Sequence, residues 1–115
     1  MSFIINTSSR RIKMKTSELV GKPLDYMVAE CEYTKYYPHI SPSTDWSQGG
    51  PIIEREGIGI FPLGNGRGWA AGLRSGPTPL IAAMRCYVAS KLGDEVDVPT
   101  ELTVEEIHKT MKYAV

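Results

Sequence analysis

The segment after the first predicted helix concentrates the side chains best suited to bind a ligand. Residues 36–50 read YYPHISPSTDWSQGG and combine aromatic rings, hydroxyl groups and flexible backbone, which is typical of a recognition loop. Unpaired amides at a helix start attract anions, and aromatic rings stack on nucleobases. A second helix start, within residues 74–79, adds a guanidinium suited to phosphate. We therefore predict a nucleotide-sized pocket lined by Tyr37, Ser43, Thr44, Trp46, Arg74 and Thr78.

The same residues also allow a purely structural interpretation. The helices would then be capped by the hydroxyl groups of Ser43, Thr44 and Thr78. The core would contain the two tryptophans, Trp46 and Trp69. Asp45 counts against an anion site, because its charge repels a phosphate unless Arg74 or Arg85 neutralises it. The sequence leaves both interpretations open.

The sequence lacks the motifs of common catalytic and metal sites. Gly64 and Gly66 are followed by Trp69 where a dinucleotide fingerprint requires a third glycine, and no Gly-Lys-Ser/Thr occurs. Glu54 and Glu56 lie on a predicted helix face, where carboxylates are usually solvated. The cysteines and histidines are too far apart for a metal-ligand motif: Cys31, Cys86, His39 and His108. We expect no metal and no cofactor, and these residues provide no mechanism for an enzymatic reaction.

Composition and charge indicate a single soluble domain. The 115 residues are 42% hydrophobic and 23% charged, and 13 Lys and Arg balance 13 Asp and Glu. This balance argues against nucleic acid as a partner. The apolar run Phe3–Ile5 is far shorter than a signal-peptide core, and no stretch of about 18 apolar residues occurs. We therefore expect a cytoplasmic protein without a membrane partner.

Hydrophobic periodicity predicts the elements that must position the candidate site. Helices are expected at about 23–32, 45–56 and 79–92, with Ser43 or Thr44 as cap of the second and the third as the central helix. Gly49, Gly50 and Pro51 weaken the second helix, which is either kinked or begins only at Pro51. Glycines between two apolar runs predict an antiparallel hairpin at about 57–73. The fold class is α+β, a small sandwich-like α-β-α domain.

The two ends of the chain have different charge. Residues 1–13 are interpreted as an N-terminal extension, residues 14–98 as the domain and residues 99–115 as a C-terminal helical extension. Alternation through Ile12 and Met14 is compatible with a strand. A capping box at residues 103–106 predicts a short terminal helix at about 103–113. Four bases precede the first acid, whereas six acids lie between residues 94 and 106 without a base.

Two long segments of the chain have a specific sequence: residues 42–57 (PSTDWSQGGPIIEREG) and 76–96 (GPTPLIAAMRCYVASKLGDEV). Together with residues 14–19 (MKTSEL) and 24–29 (LDYMVA), they resemble the NinX family of small tailed-phage and prophage proteins. The resemblance implies a phage accessory protein in the host cytoplasm, during infection or from a prophage, and supplies no catalytic residues. The element order is also similar to that of small phage α-β-α sandwich domains.

These observations leave three classes of function. We expect a non-enzymatic protein that binds and sequesters a small phosphate-bearing, nucleotide-like signalling ligand of the host, which would counter a defence system. The first alternative is a stoichiometric inhibitor or adaptor of a host protein, for which the acidic residues 94–106 are the candidate surface. The second alternative is a small hydrolase. A homo-oligomer is expected, because so short a chain buries little of its surface.

Overall fold

The computed structural model describes residues 10–103 and has a mixed α+β fold. Its α-helices and short strands confirm the predicted fold class. In chain order the elements are β1 (Arg11–Lys15), a 3-10 turn (Thr16–Glu18), α1 (Gly21–Cys31), α2 (Trp46–Glu56), β2 (Ile60–Pro62), β3 (Trp69–Ala71), β4 (Arg74–Gly76), α3 (Pro79–Leu92) and β5 (Glu95–Pro99). None of the helices in this part of the chain is long and apolar enough to cross a membrane.

The strands form two small antiparallel sheets. Strands β2, β3 and β4 make a meander, and the first two are the predicted hairpin. Gly64, Asn65 and Gly66 in its turn all have positive φ, which glycine and asparagine tolerate best. Strand β1 pairs with β5, with Ile12 opposite Val98 and Met14 opposite Val96. The strand suggested by alternation through Ile12 and Met14 is therefore present.

Helix α3 is the central element, as its nearly uniform apolar sequence predicts. It contacts the other two helices and both sheets. Thr78 caps its start by accepting a hydrogen bond from the N–H of Ile81 at 3.1 Å, and Gly93 ends it with a φ of 93°. Its buried side chains form the middle of one hydrophobic core: Leu80, Ala82, Ala83, Met84, Tyr87 and Val88.

Helix α1 packs on this core through Met27 and Val28, which belong to the same buried cluster as Met84 and Tyr87. Apolar residues three and four positions apart lie on one face of the helix, so this face is buried as the spacing predicts. Asp25 on the same helix is buried as well, and its carboxylate accepts a hydrogen bond from Ser43 in the loop before α2.

Helix α2 differs from the prediction in its cap and in its continuity. Asp45, and not Ser43 or Thr44, is the cap, because it directly precedes Trp46 and its carboxylate accepts the N–H of Ser47 at 2.9 Å. The helix runs unbroken through Pro51, where the proline costs one hydrogen bond near the helix start.

Two strands were missed by the sequence prediction, and two predicted segments lie largely or wholly outside the described residues. Strands β4 and β5 were not predicted. A three-residue strand such as β4 leaves almost no periodic signal. The alternation of acids with valines in β5 is a strand signal that the sequence prediction overlooked. Residues 100–103 are helical, but the predicted helix at 103–113 lies almost entirely outside the described residues. The run Phe3–Ile5 also lies outside them.

Candidate functional site

Helices α2 and α3 lie side by side and run in the same direction. Near their starts, Gly49 approaches Leu80 so closely that an added Cβ would be 2.7 Å from the Leu80 side chain. Near their ends, the Arg55 guanidinium donates to the Tyr87 hydroxyl at 3.2 Å. The two starts therefore share one end of the pair. We call this end, with Thr44, Asp45 and Trp46 at the start of α2 and Thr78 directly before α3, the helix-start surface.

Trp46 is the largest exposed side chain of the helix-start surface. It is the first residue of α2 and 55% of it is exposed to solvent. The interpretation of Trp46 as a core residue is therefore wrong, whereas Trp69 is partly buried against the core. An exposed indole at a helix start leaves an aromatic face free for a ligand.

Three of the other predicted residues belong to this end of the molecule. Thr44 is exposed. The side-chain oxygen of Thr78 already accepts the N–H of Ile81 as the cap of α3. Ser43 is buried, and its N–H donates to the Asp25 carboxylate at 2.9 Å. Ser43 thus anchors the loop to α1 and offers no exposed side chain.

Tyr37 lies in the loop before the helix-start surface. Its ring is stacked on that of His39, with centroids 5.8 Å apart and 11° between the planes, and 47% of the residue is exposed. The ammonium of Lys35 lies 5.8 Å from the same ring, so a cation and two rings are clustered here.

The loop that carries these residues is held in one conformation by Gln48 and Asp25. The Gln48 amide accepts the N–H of Ser41 at 2.8 Å and donates to the carbonyl of His39 at 3.1 Å. The buried Asp25 holds the next turn through Ser43. Burial raises the pKa of Asp25, and its hydrogen bonds with Ser43 partly oppose that shift. These hydrogen bonds connect the loop to α1 and α2.

Asp45 places a fixed negative charge at the start of α2. Hydrogen bonds from the side chain and N–H of Ser47 lower the pKa of the Asp45 carboxyl, and the Gln48 amide donates to it at 3.1 Å. Neither arginine proposed to neutralise this charge pairs with it in the described part of the chain. Arg85 donates to the carbonyls of Leu19 at 2.8 Å and Ser75 at 3.0 Å.

Arg74 does not join the other candidate residues. Its guanidinium is 2.5 Å from the Asp94 carboxylate, just beyond the C-terminal end of α3. The 14 residues of α3 span about 20 Å at 1.5 Å per residue, and Thr78 lies at the opposite end. The structure therefore brings the two helix starts together and leaves this guanidinium elsewhere.

Sequence reasoning missed a shallow groove beside the start of α3. The groove has a volume of about 500 Å³ and lies between the hairpin turn and Pro77, the residue before the Thr78 cap. Trp69 and Arg67 line it together with three glycines of the turn, Gly64, Gly66 and Gly68. The glycine-rich turn could have indicated this groove from the sequence. In the sequence, its glycines served only to predict a hairpin and to exclude known phosphate-binding motifs.

The opposite end of the helix pair holds a network of charged and polar groups. Arg55 donates to the Glu32 carboxylate at 2.6 and 3.2 Å and to Glu56 at 2.9 Å. The Tyr87 hydroxyl donates to Glu32, and Lys91 is 3.6 Å from Glu56. We call these five residues the helix-end network.

Comparison with known proteins identifies one family. The sequence model described as "Bacteriophage P22, NinX" matches residues 32–91, slightly more than half of the chain. This range contains α2, the three-stranded sheet and all of α3 except Leu92, and therefore both the helix-start surface and the groove. No curated protein matches the sequence.

Proposed function

The chain belongs to the NinX family of bacteriophage proteins, and from this premise we propose that it is a non-catalytic accessory protein that binds a small phosphate-bearing, nucleotide-like ligand. The binding site is the helix-start surface. By sequestering a signalling nucleotide of the host, the protein would counter a defence system that depends on it.

One observation carries this proposal: the parallel helices α2 and α3 start side by side, beside an exposed Trp46. Both helix dipoles present their positive ends here, which favours a negatively charged group. The Trp46 indole supplies a flat face on which a base can stack. The negative charge of Asp45 requires the phosphate to lie on the α3 side of this surface, away from the α2 cap.

Sequestration is also compatible with a sequence that lacks the motifs of common catalytic sites. A protein that holds a ligand in a stoichiometric complex needs complementary shape and charge but no nucleophile or general base. The loop that carries Tyr37 and Ser43 is already fixed by Gln48 and Asp25, so binding orders few additional side chains.

Native mass spectrometry of the protein purified from infected cells tests this proposal. The expected result is a complex whose added mass is released on denaturation and contains phosphorus. The same spectrum gives the number of subunits, and we propose a homo-oligomer. A bound mass without phosphorus, or a ligand-free protein from cells that contain the signalling nucleotide, would contradict the proposed function.

A second candidate function is the stoichiometric inhibition of a host protein. The observation in its favour is that Leu73 is fully exposed and Phe61 is 53% exposed, both in the region of the three-stranded sheet. Exposed apolar side chains of this size are typical of protein contacts when they cluster. If this function is correct, Leu73→Ser removes a host protein that co-purifies in a fixed ratio, whereas Trp46→Ala leaves it in place.

A further inference from the structure

The groove between the hairpin turn and Pro77 has the size and walls of a small-molecule site. Its volume of about 500 Å³ falls within the range of about 300–1,000 Å³ that ligand pockets occupy. The partly buried Trp69 forms one wall, and Pro62 and Pro77 contribute rigid apolar surface. Gly64 and Gly66 have no atoms within 4 Å of the position of a Cβ, so this side of the groove is open to an entering group.

Arg67 supplies a positive charge that no carboxylate of residues 10–103 neutralises. Its guanidinium donates to the carbonyl of Leu63 at 3.1 Å, with a longer contact of 3.5 Å to the carbonyl of Gly64. Within residues 10–103 it has no ion pair with a carboxylate, whereas Arg55 and Arg74 are both paired. The backbone thus positions this guanidinium and leaves its charge free for an anion.

The turn beside Arg67 also leaves backbone donors free. The N–H groups of Gly64, Asn65 and Gly66 have no hydrogen-bond acceptor in the part of the chain that the structure describes. The turn is closed by other bonds, from the N–H of Arg67 to Gly64 and from that of Leu63 to Gly68. Free N–H groups next to a guanidinium are the usual recognition elements for phosphate oxygens.

We propose that this groove binds the phosphate-bearing end of a nucleoside 5′-monophosphate or of a ligand with the same group. Arg67 and the free N–H groups of the turn hold the phosphate, and the Trp69 ring lies against the adjoining sugar or base. Pro77 connects the groove to Thr78, so the groove continues the helix-start surface on the α3 side. The inference rests on the proposed function, because it assigns the phosphate of that ligand to a specific place. Arg67 takes the role that the sequence suggested for Arg74.

Titration with AMP, monitored by calorimetry and by the backbone amide signals of residues 64–66, tests the inference. Adenosine and inorganic phosphate serve as probes of the two halves of the ligand. The informative variant is Arg67→Gln, which keeps a hydrogen-bond donor for the turn but removes the charge. Its matched control is Arg11→Gln, since Arg11 is exposed on β1 in the other sheet.

The expected result is that Arg67→Gln weakens AMP binding at least tenfold and leaves adenosine binding unchanged. Arg11→Gln should change AMP affinity by less than twofold, and AMP should shift the amide signals of residues 64–66. Equal AMP affinity in Arg67→Gln and the unmodified protein would overturn the inference. If Trp46→Ala still weakens binding in that case, the proposed function stands without the groove. Binding of other nucleotides but no monophosphate would also overturn the inference alone, whereas no binding of any nucleotide would overturn both.

Discussion

The two ends of the α2–α3 pair differ in how their side chains are used. At the helix-end network, Arg55, Lys91 and Tyr87 are partners of two carboxylates of the same chain. At the helix-start surface, Trp46 and the preceding Tyr37 are about half exposed. The difference is one of pairing and not of exposure, since the side chains of Arg55 and Lys91 are also 51% and 46% exposed. It indicates that ion pairs stabilise the fold at one end, and the other end is the one that we propose as the ligand surface.

The pKa values at the helix-end network follow from its contacts. The Arg55 guanidinium, and to a smaller extent the Tyr87 hydroxyl, hold the pKa of Glu32 below its ordinary value, against the opposite effect of burial. Burial, followed by the Glu32 carboxylate, raises the pKa of the Tyr87 hydroxyl. These groups therefore stay in the protonation states that satisfy one another at neutral pH.

The largest expected effect comes from the core that supports both ends. Met84 is fully buried at the centre of α3, so Met84→Asp places a charge without a partner in the core and should abolish cooperative unfolding. The matched control Met84→Leu conserves volume and should cost less than about 1.5 kcal/mol. Thermal unfolding monitored by circular dichroism measures both variants. An aspartate variant that melts like the unmodified protein would refute the assigned core.

The second effect concerns the contact between the two helix starts. A Cβ at Gly49 would collide with the carbonyl oxygen of Pro42 and with Leu80, so Gly49→Ala should cost about 1–3 kcal/mol and weaken ligand binding. Gly50 is the matched control, because nothing lies within 4 Å of its added Cβ. Gly50→Ala should therefore stabilise the helix by up to about 1 kcal/mol. Chemical denaturation distinguishes the two, and equal stabilities would contradict the close packing of Gly49 against Pro42 and Leu80.

A smaller effect is expected at the helix-end network. Tyr87→Phe removes the hydroxyl that donates to Glu32 and accepts from Arg55, while the ring stays in the core. The loss should be about 1–2 kcal/mol of unfolding free energy, with no change in ligand affinity. Trp46→Phe, at the other end, should leave the stability unchanged. A loss of ligand affinity in Tyr87→Phe would show that the two ends are not independent.

The smallest effect is the pH dependence of stability that Glu32 provides. Because the pKa of Glu32 is lower in the folded chain than its ordinary value of 4.5, the stabilisation is complete above that value and disappears as the pH falls through the folded pKa. The melting temperature of the unmodified protein should therefore fall more steeply below pH 4.5 than that of Glu32→Gln. Parallel pH profiles would mean that the Arg55 contact contributes nothing to folding.

The sequence predicts the elements far better than it predicts the partners of charged groups. Thr78, Pro79 and Gly93 mark the limits of α3 because caps and helix ends depend on neighbouring residues. The pairing of Arg74 depends instead on Asp94, which a turn and a whole helix separate from it in the chain. Nothing in the sequence indicated Arg67, since its free charge depends on which carboxylates of residues 10–103 lie near the folded turn, and none pairs with it.

The positions of the two helix starts show the same limit. Periodicity predicts α2 and α3 separately, but it says nothing about their parallel arrangement, in which Gly49 lies against Pro42 and the Leu80 side chain. The exposure of Trp46 was likewise undecided, because an aromatic residue at a helix start is compatible with either core or surface.

Calorimetric titration of linear and cyclic nucleotides tests the central claim, that the helix-start surface binds a ligand, most directly. The unmodified protein should give saturable heat with at least one nucleotide. Trp46→Ala should lose about 1–3 kcal/mol of binding free energy, Trp46→Phe should retain most of the affinity, and neither should lower the melting temperature without ligand. No heat from any nucleotide, together with a large loss of stability in Trp46→Ala, would make Trp46 a structural residue and contradict the claim.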